Sequence, residues 1–260
     1  MNKSNPHNES SDAASSVAAN SPVSSTPTTG YWSPGLQAAT LACIGGGLVA
    51  FFVIRSLHPY FAFADLPELG IAPSEEMVAK HIAATQAFWA HNYALDFGVL
   101  GLALGAVIGA VATATRRIPS CIAGAASGLV GGAAAGYGAG LMVARTIRLS
   151  ADQSLVNSTL LHFAVWGTVC GLIVFSISCI QAGVMRALNN LVIAILLGLG
   201  IAALYNLGTS LIANSYDLTF IFPTTLVHGL VWAITCSAML GLGLHFGLRP
   251  APASKTNTNS

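Results

Sequence analysis

Charge is what this chain lacks. Asp and Glu number 9 and Lys and Arg 10 among 260 residues, or 7 %, against about 25 % in an ordinary soluble domain. A water-soluble body of this size needs a charged shell, and so few charges cannot make one. The bilayer is the expected solvent, in keeping with 54 % apolar residues and a mean hydropathy of +0.69. A net charge of +1 gives no sign of nucleic-acid binding. The five cysteines, Cys43, Cys121, Cys170, Cys179 and Cys236, form no C-x-x-C pair. They read as small apolar packing residues rather than a disulfide framework or a zinc site. There is no Gly-rich phosphate loop with its Lys, no H-E-x-x-H and no G-x-S-x-G. No nucleophile–base pair is evident either, so the expectation is a protein that is not an enzyme, with no cofactor and no metal site. Residues 1–34 do not read as a signal peptide: the charged start is Lys3 alone, and the first apolar run begins far too late.

What is there is apolar length. Six runs reach the roughly 20 residues that a helix needs to cross a bilayer: Leu36–Leu57, Tyr93–Thr115, Ile118–Ala144, Leu160–Ile180, Leu191–Ala213 and Leu226–Leu248. They are too long for strands and do not alternate strictly, which argues against a membrane barrel. The expected fold is all-α, a six-span transmembrane helix bundle over residues 35–250. Residues 1–34, rich in Ser, Asn, Thr, Ala and Pro, read as a disordered tail, and 251–260 as a second tail. With the N-terminus inside, the inner side holds Lys3, Arg116, Arg117, Arg186, Arg249 and Lys255, and the outer side holds Arg55, Lys80, Arg145 and Arg148. This bias places the protein in the cell membrane with both termini cytoplasmic. In the outer connection, Pro73-Ser74-Glu75-Glu76 looks like a helix start, with Ser74 as cap. The spacing predicts a helix from about Glu75 that lies on the surface or runs straight into the second span.

Two stretches nearly copy each other. Thr159–Cys170 and Thr225–Cys236 both read T-L-[LV]-H-x-x-V-W-[GA]-x-x-C, 66 residues apart from His162 to His228. That offset fits two spans and their loops. It suggests three parallel-repeated hairpins, spans 1–2, 3–4 and 5–6. The second span keeps only a remnant, His91, with Leu95 where the tryptophan would be. Within each copy, the His, the Trp four residues later and the Cys eight later fall at about 0°, 40° and 80° around a helix, one stripe.

The third span carries Gly124, Gly128, Gly132, Gly136 and Gly140 at every fourth residue, and the second adds Gly101, Gly105 and Gly109. Residues four apart form one ridge, so each helix offers a smooth groove for a close backbone neighbour. The expected result is a tightly packed hairpin, with a pore-lining helix as the other reading. Trp166 and Trp232 read as helix-packing residues that would wall any pocket nearby. Ionisable groups within a bilayer are costly and count as functional candidates. Arg55, His91, Asp96, Arg145, His162 and His228 all fall near outer helix ends and define a candidate outer polar pocket. The bland reading is that the arginines snorkel to the interface and Asp96 reaches water. Asn206 and Ser210, four apart on the fifth span, form a candidate intramembrane polar path or a helix-bonding pair.

These residues point first to a small-solute or ion transporter or channel-like protein. One alternative is a non-transporting structural or assembly subunit, and another is a metal- or haem-binding redox protein. Expected partners are the lipid bilayer, a small solute or ion, and a second copy or another membrane protein, but no nucleic acid.

Overall fold

The computed structural model describes residues 34–66, 73–112, 116–146, 151–210, 223 and 225–247, with side chains at 34–36, 144–146, 151–155, 209–210 and 243–247 left out. The expected tails fall outside the described residues, apart from Pro34. Within them the regular structure is all helical, in the order α1 (Pro34–Leu57), α2 (Glu75–Ala112), α3 (Arg117–Thr146), α4 (Ala151–Ala182), α5 (Val184–Ser210) and α6 (Leu226–Gly247). Five of these, α1 to α5, are long and apolar enough to cross a membrane. In α6 the described apolar stretch, Leu226–Leu242, is shorter.

Three helices begin earlier than hydropathy predicts. Hydropathy marks the stretch that suits lipid, whereas a helix continues as far as its backbone is capped. α2 starts at Glu75 and runs unbroken into the apolar stretch, 38 residues in all. Ser74 caps it: its Oγ accepts from the Met77 N–H at 3.3 Å, and its carbonyl accepts from the Val78 N–H at 3.0 Å. Glu75 and Glu76 in the first turn favour the positive end of the helix dipole. The Glu76–Lys80 pair at 2.7 Å is exposed and adds little. α4 begins at Ala151 instead of Leu160, and α5 at Val184 instead of Leu191. α4 and α5 are joined by Gly183 alone, at φ 82°, where a side chain would be strained. The Gly183 N–H closes the last turn of α4 on Cys179 O at 3.2 Å, and its carbonyl accepts from Ala187 in the first turn of α5 at 3.1 Å. Thr225 caps α6, its Oγ1 taking the His228 N–H at 3.4 Å.

Each helix packs against the next in sequence, and α6 closes the ring against α1. α2, α4 and α6 are central. Half or more of the most apolar stretch of α2 and α4 is buried, against a third or less in α1, α3 and α5. Over the described residues, each central helix packs more extensively on the helix that follows it (α2 on α3, α4 on α5, α6 on α1) than on the one before it. The expected hairpin partners, spans 1–2, 3–4 and 5–6, are therefore the looser neighbours.

Glycine explains the preference. A Cβ on Gly101 or Gly105 of α2 would fall on the Gly128 or Gly124 carbonyl of α3. The converse holds for Gly124 and Gly128, while Gly109 meets Ser120, Gly132 meets Phe97, and Gly136 meets Tyr93. A Cβ on Gly140 would stand 2.5 Å from Ala90 Cα. These are backbone-on-backbone contacts that no other residue permits. The other two favoured pairs repeat them: a Cβ on Gly198 of α5 would lie 2.5 Å from Trp166 O, and one on Gly241 of α6 would lie 2.7 Å from Thr40 Cα of α1. At the looser α1–α2 and α3–α4 seams the nearest atoms are side chains, as where Gly46 meets Val107 and Gly131 meets Leu172.

Candidate functional site

At one end of the bundle, residues 58–66 leave α1 and lie along α2 as a strap. Two α2 side chains, Asn92 and Asp96, hold it. They are four residues apart and so share a helix face. Both are buried, at 0 % and 1 % exposure. Asn92 clamps the strap backbone at one residue: its Oδ1 accepts from the Phe61 N–H at 3.0 Å, and its Nδ2 donates to Phe61 O at 3.1 Å. The same Nδ2 also donates to Phe88 O within α2, at 2.9 Å. This satisfies a strap backbone that would otherwise be costly to bury.

His58 supplies the second tie. Its Nδ1 lies 3.1 Å from Oδ2 and 3.3 Å from Oδ1 of Asp96. The Asp96 side chain is fully covered, while that of His58 is 24 % exposed. A covered carboxylate needs a partner, because desolvation otherwise costs several kcal/mol. The Tyr60 ring stands edge-on to His58, centroids 6.3 Å apart. Burial, then the Asp96 charge, pushes the Tyr60 phenol up to about 12. Further along, Phe63 packs on Phe88 at 5.6 Å and Phe61 on His91 at 5.4 Å.

Between the central helices the bundle is filled with aromatic rings. Tyr93 meets Phe97 at 6.3 Å, Phe97 meets Trp232 edge-on at 6.1 Å, and Trp232 meets Trp166 at 5.5 Å. Trp166 and Trp232 both have 0 % exposure. The two copies of the sequence repeat therefore meet each other in the centre of the molecule.

Of the six residues read as an outer pocket, five have described side chains, and each has its own surroundings. Asp96 joins His58. His91 is exposed and sits between the rings of Phe61 and Tyr137, the latter at 5.9 Å. His162 is buried on α4, its Nδ1 donating to the Ser158 carbonyl at 2.8 Å and its ring tilted 5.4 Å from Tyr205. His228 is half-buried at the start of α6, and Arg55 is exposed at the end of α1. The backbone of Arg145 lies in the last turn of α3, and its side chain is outside the described residues. Asn206 is half-buried one residue beyond Tyr205, and the Ser210 side chain is likewise outside the described residues. Among the described residues, no group of three His, Cys, Asp or Glu side chains is placed to hold a metal ion. An open groove of about 320 Å³ lies between α4 and α5, lined by Phe163, Ala164, Gly167, Thr168, Ile195 and Leu199, an apolar flank.

His58, Asn92 and Tyr60 are the residues that sequence reasoning missed. The signal for Asn92 was present: an amide one turn before the only acid of the second span. His58 had no such signal, because its partner lies 38 residues away. No protein-family model, characterised protein or solved structure matches this chain.

Proposed function

We propose that this chain is a six-span bundle of the cell membrane, both termini cytoplasmic, built from three copies of a two-helix unit. Its work is that of a non-transporting structural or assembly subunit. The observation that carries the role is the column Phe97–Trp232–Trp166: the space where a solute path between the central helices would run is occupied by large, fully covered rings. A protein interior filled this way is close-packed. Support for the repeat comes from recurrence. The three favoured pairs are each a central helix with its successor, each sealed by glycine against backbone, and the repeat's two tryptophans touch. The lipid-facing flanks, including the groove beside Gly167, are then the surfaces left for lipid, a second copy or another membrane protein. No catalytic role belongs to this reading.

A small-solute or ion transporter or channel-like protein is the second reading. The covered Asp96 favours it, because an ionisable group held at a membrane helix end is the usual mark of an ion path.

Thiol accessibility separates them. With the native cysteines removed and folding confirmed, single cysteines replace His162, His228, Asn206 and Ser210 in turn, and intact cells are treated with a small membrane-impermeant reagent. A dry bundle leaves Asn206→Cys and Ser210→Cys unlabelled. Labelling at His162→Cys, His228→Cys and either deeper position would establish a water-filled path and replace the structural reading with transport.

A further inference from the structure

The strap is fixed at two points of different chemistry. The Asn92 clamp is neutral at any ordinary pH. The His58–Asp96 tie is an acid–base pair, and its carboxylate has no exposed surface once the strap is down. We infer that the strap is a proton-held latch: it stays docked on α2 while the His58–Asp96 pair carries its proton, and it lifts when that proton leaves.

The physical argument is one of charge counting. With one proton the pair is an imidazolium beside a carboxylate, or two neutral groups sharing a hydrogen bond, and in both cases it is neutral overall. Losing the proton leaves a bare carboxylate under cover, where desolvation opposes it. Lifting the strap restores water to Asp96. Docking is therefore most stable while the proton is bound and weakens as pH rises through its loss. Other groups near the pair do not substitute for it. Tyr60, on the strap itself, holds its proton up to about 12. On α2, His91 is exposed and packs on the Phe61 ring, and the Glu76–Lys80 pair is several turns further along the helix. On α1, Arg55 is exposed. On α6, His228 adjoins Gly229, which lies against Phe51, nearly two turns of α1 short of His58. On α3, Tyr137 faces His91. Asp65 is exposed further along the strap. An open strap uncovers the face of α2 that carries Asn92 and Asp96.

Amide hydrogen exchange on the full chain in lipid nanodiscs reads the latch directly, because the Phe61 N–H is bonded only while the strap is docked. Exposure times are scaled to an unstructured reference peptide so that intrinsic exchange cancels. In the wild type, measured from about pH 6 to about pH 9, protection of segment 58–66 should be lower at the higher pH, by no more than about tenfold per pH unit, the most that one linked proton allows. Asp96→Asn keeps a neutral hydrogen-bonding group and should hold protection constant with pH. His58→Gln leaves the carboxylate without its acid and should lose protection at both pH values. Equal protection of α4 in every variant confirms folding. Should Asp96→Asn fail to fold, wild type against His58→Gln still decides. Unchanged wild-type protection across this range would overturn the latch. So would a pH-dependent loss that persists in Asp96→Asn.

Discussion

Gly136, Gly138 and Gly140 stand on successive turns and half-turns of α3, and they should respond oppositely to the same added methyl group. A Cβ on Gly138 would meet nothing within 4 Å. A Cβ on Gly140 would stand 2.5 Å from Ala90 Cα and from the Trp89 carbonyl carbon, where ordinary contact begins at 3.4 Å. The shortfall of about 0.9 Å cannot be met by a rotamer change, because both neighbours are backbone of a 38-residue helix. The helices must part locally, which opens a gap along the seam. Overpacking of this kind costs roughly 1–3 kcal/mol. At Gly138 only the intrinsic term remains, and alanine in place of glycine within a helix gains about 0.5–1 kcal/mol. The intrinsic gain is common to both sites, so Gly138→Ala should sit about 1–3 kcal/mol above Gly140→Ala, the overpacking cost alone. At roughly 2–4 °C per kcal/mol for a chain of this size, the two midpoints should differ by at least about 2 °C in thermal unfolding of the purified protein. Gly136→Ala, aimed at the Tyr93 carbonyl, should follow Gly140→Ala. Equal midpoints for Gly138→Ala and Gly140→Ala would refute the claim that α2 and α3 touch through their backbones.

His58→Ala should cost up to about 3 kcal/mol by stranding the covered Asp96 carboxylate, whereas Asp96→Asn should cost about 1 kcal/mol; thermal unfolding of both variants compares them. Trp166→Ala should cost about 3–5 kcal/mol, and Trp166→Ala with Trp232→Ala should cost less than the two singly, since the rings share one contact; a double-mutant cycle measures this. Tyr60 should resist ionisation until about pH 12 in an absorbance titration, and Asp96→Asn should lower that value by removing the second of its two causes. A raised phenol stabilises the docked strap fully below the ordinary tyrosine range near 10, and that contribution disappears as pH climbs through about 12.

Helix content, the long apolar elements and the small-residue faces were legible in the sequence because each is a local pattern: composition, length, and glycine at every fourth position. The period of four on α3 is a property of one helix, and it identified the face that meets α2. Which helix packs tightest on which is not local. The repeat pointed to hairpins 1–2, 3–4 and 5–6, because chain neighbours are the natural guess, yet Gly198 and Gly241 seal α5 to α4 and α1 to α6. Nothing in the motif around His162 and His228 shows that their tryptophans meet. The strap was invisible for the same reason. Its residues sit beyond the first apolar run, in a stretch with no periodicity, and its partners are chosen by tertiary proximity. Asp96 was singled out for its cost in lipid. Its partner, His58, could only be found in space.

The single-residue joint at Gly183 makes the phase of α5 a counted quantity. One residue more would turn α5 by about 100° and advance it about 1.5 Å relative to α4. Gly198 would then swing away from the Trp166 carbonyl and a bulkier neighbour would arrive in its place. The joint thus works as a reading frame for packing: a lengthened link should scramble this interface as a frameshift scrambles a message, even though every residue of both helices is retained.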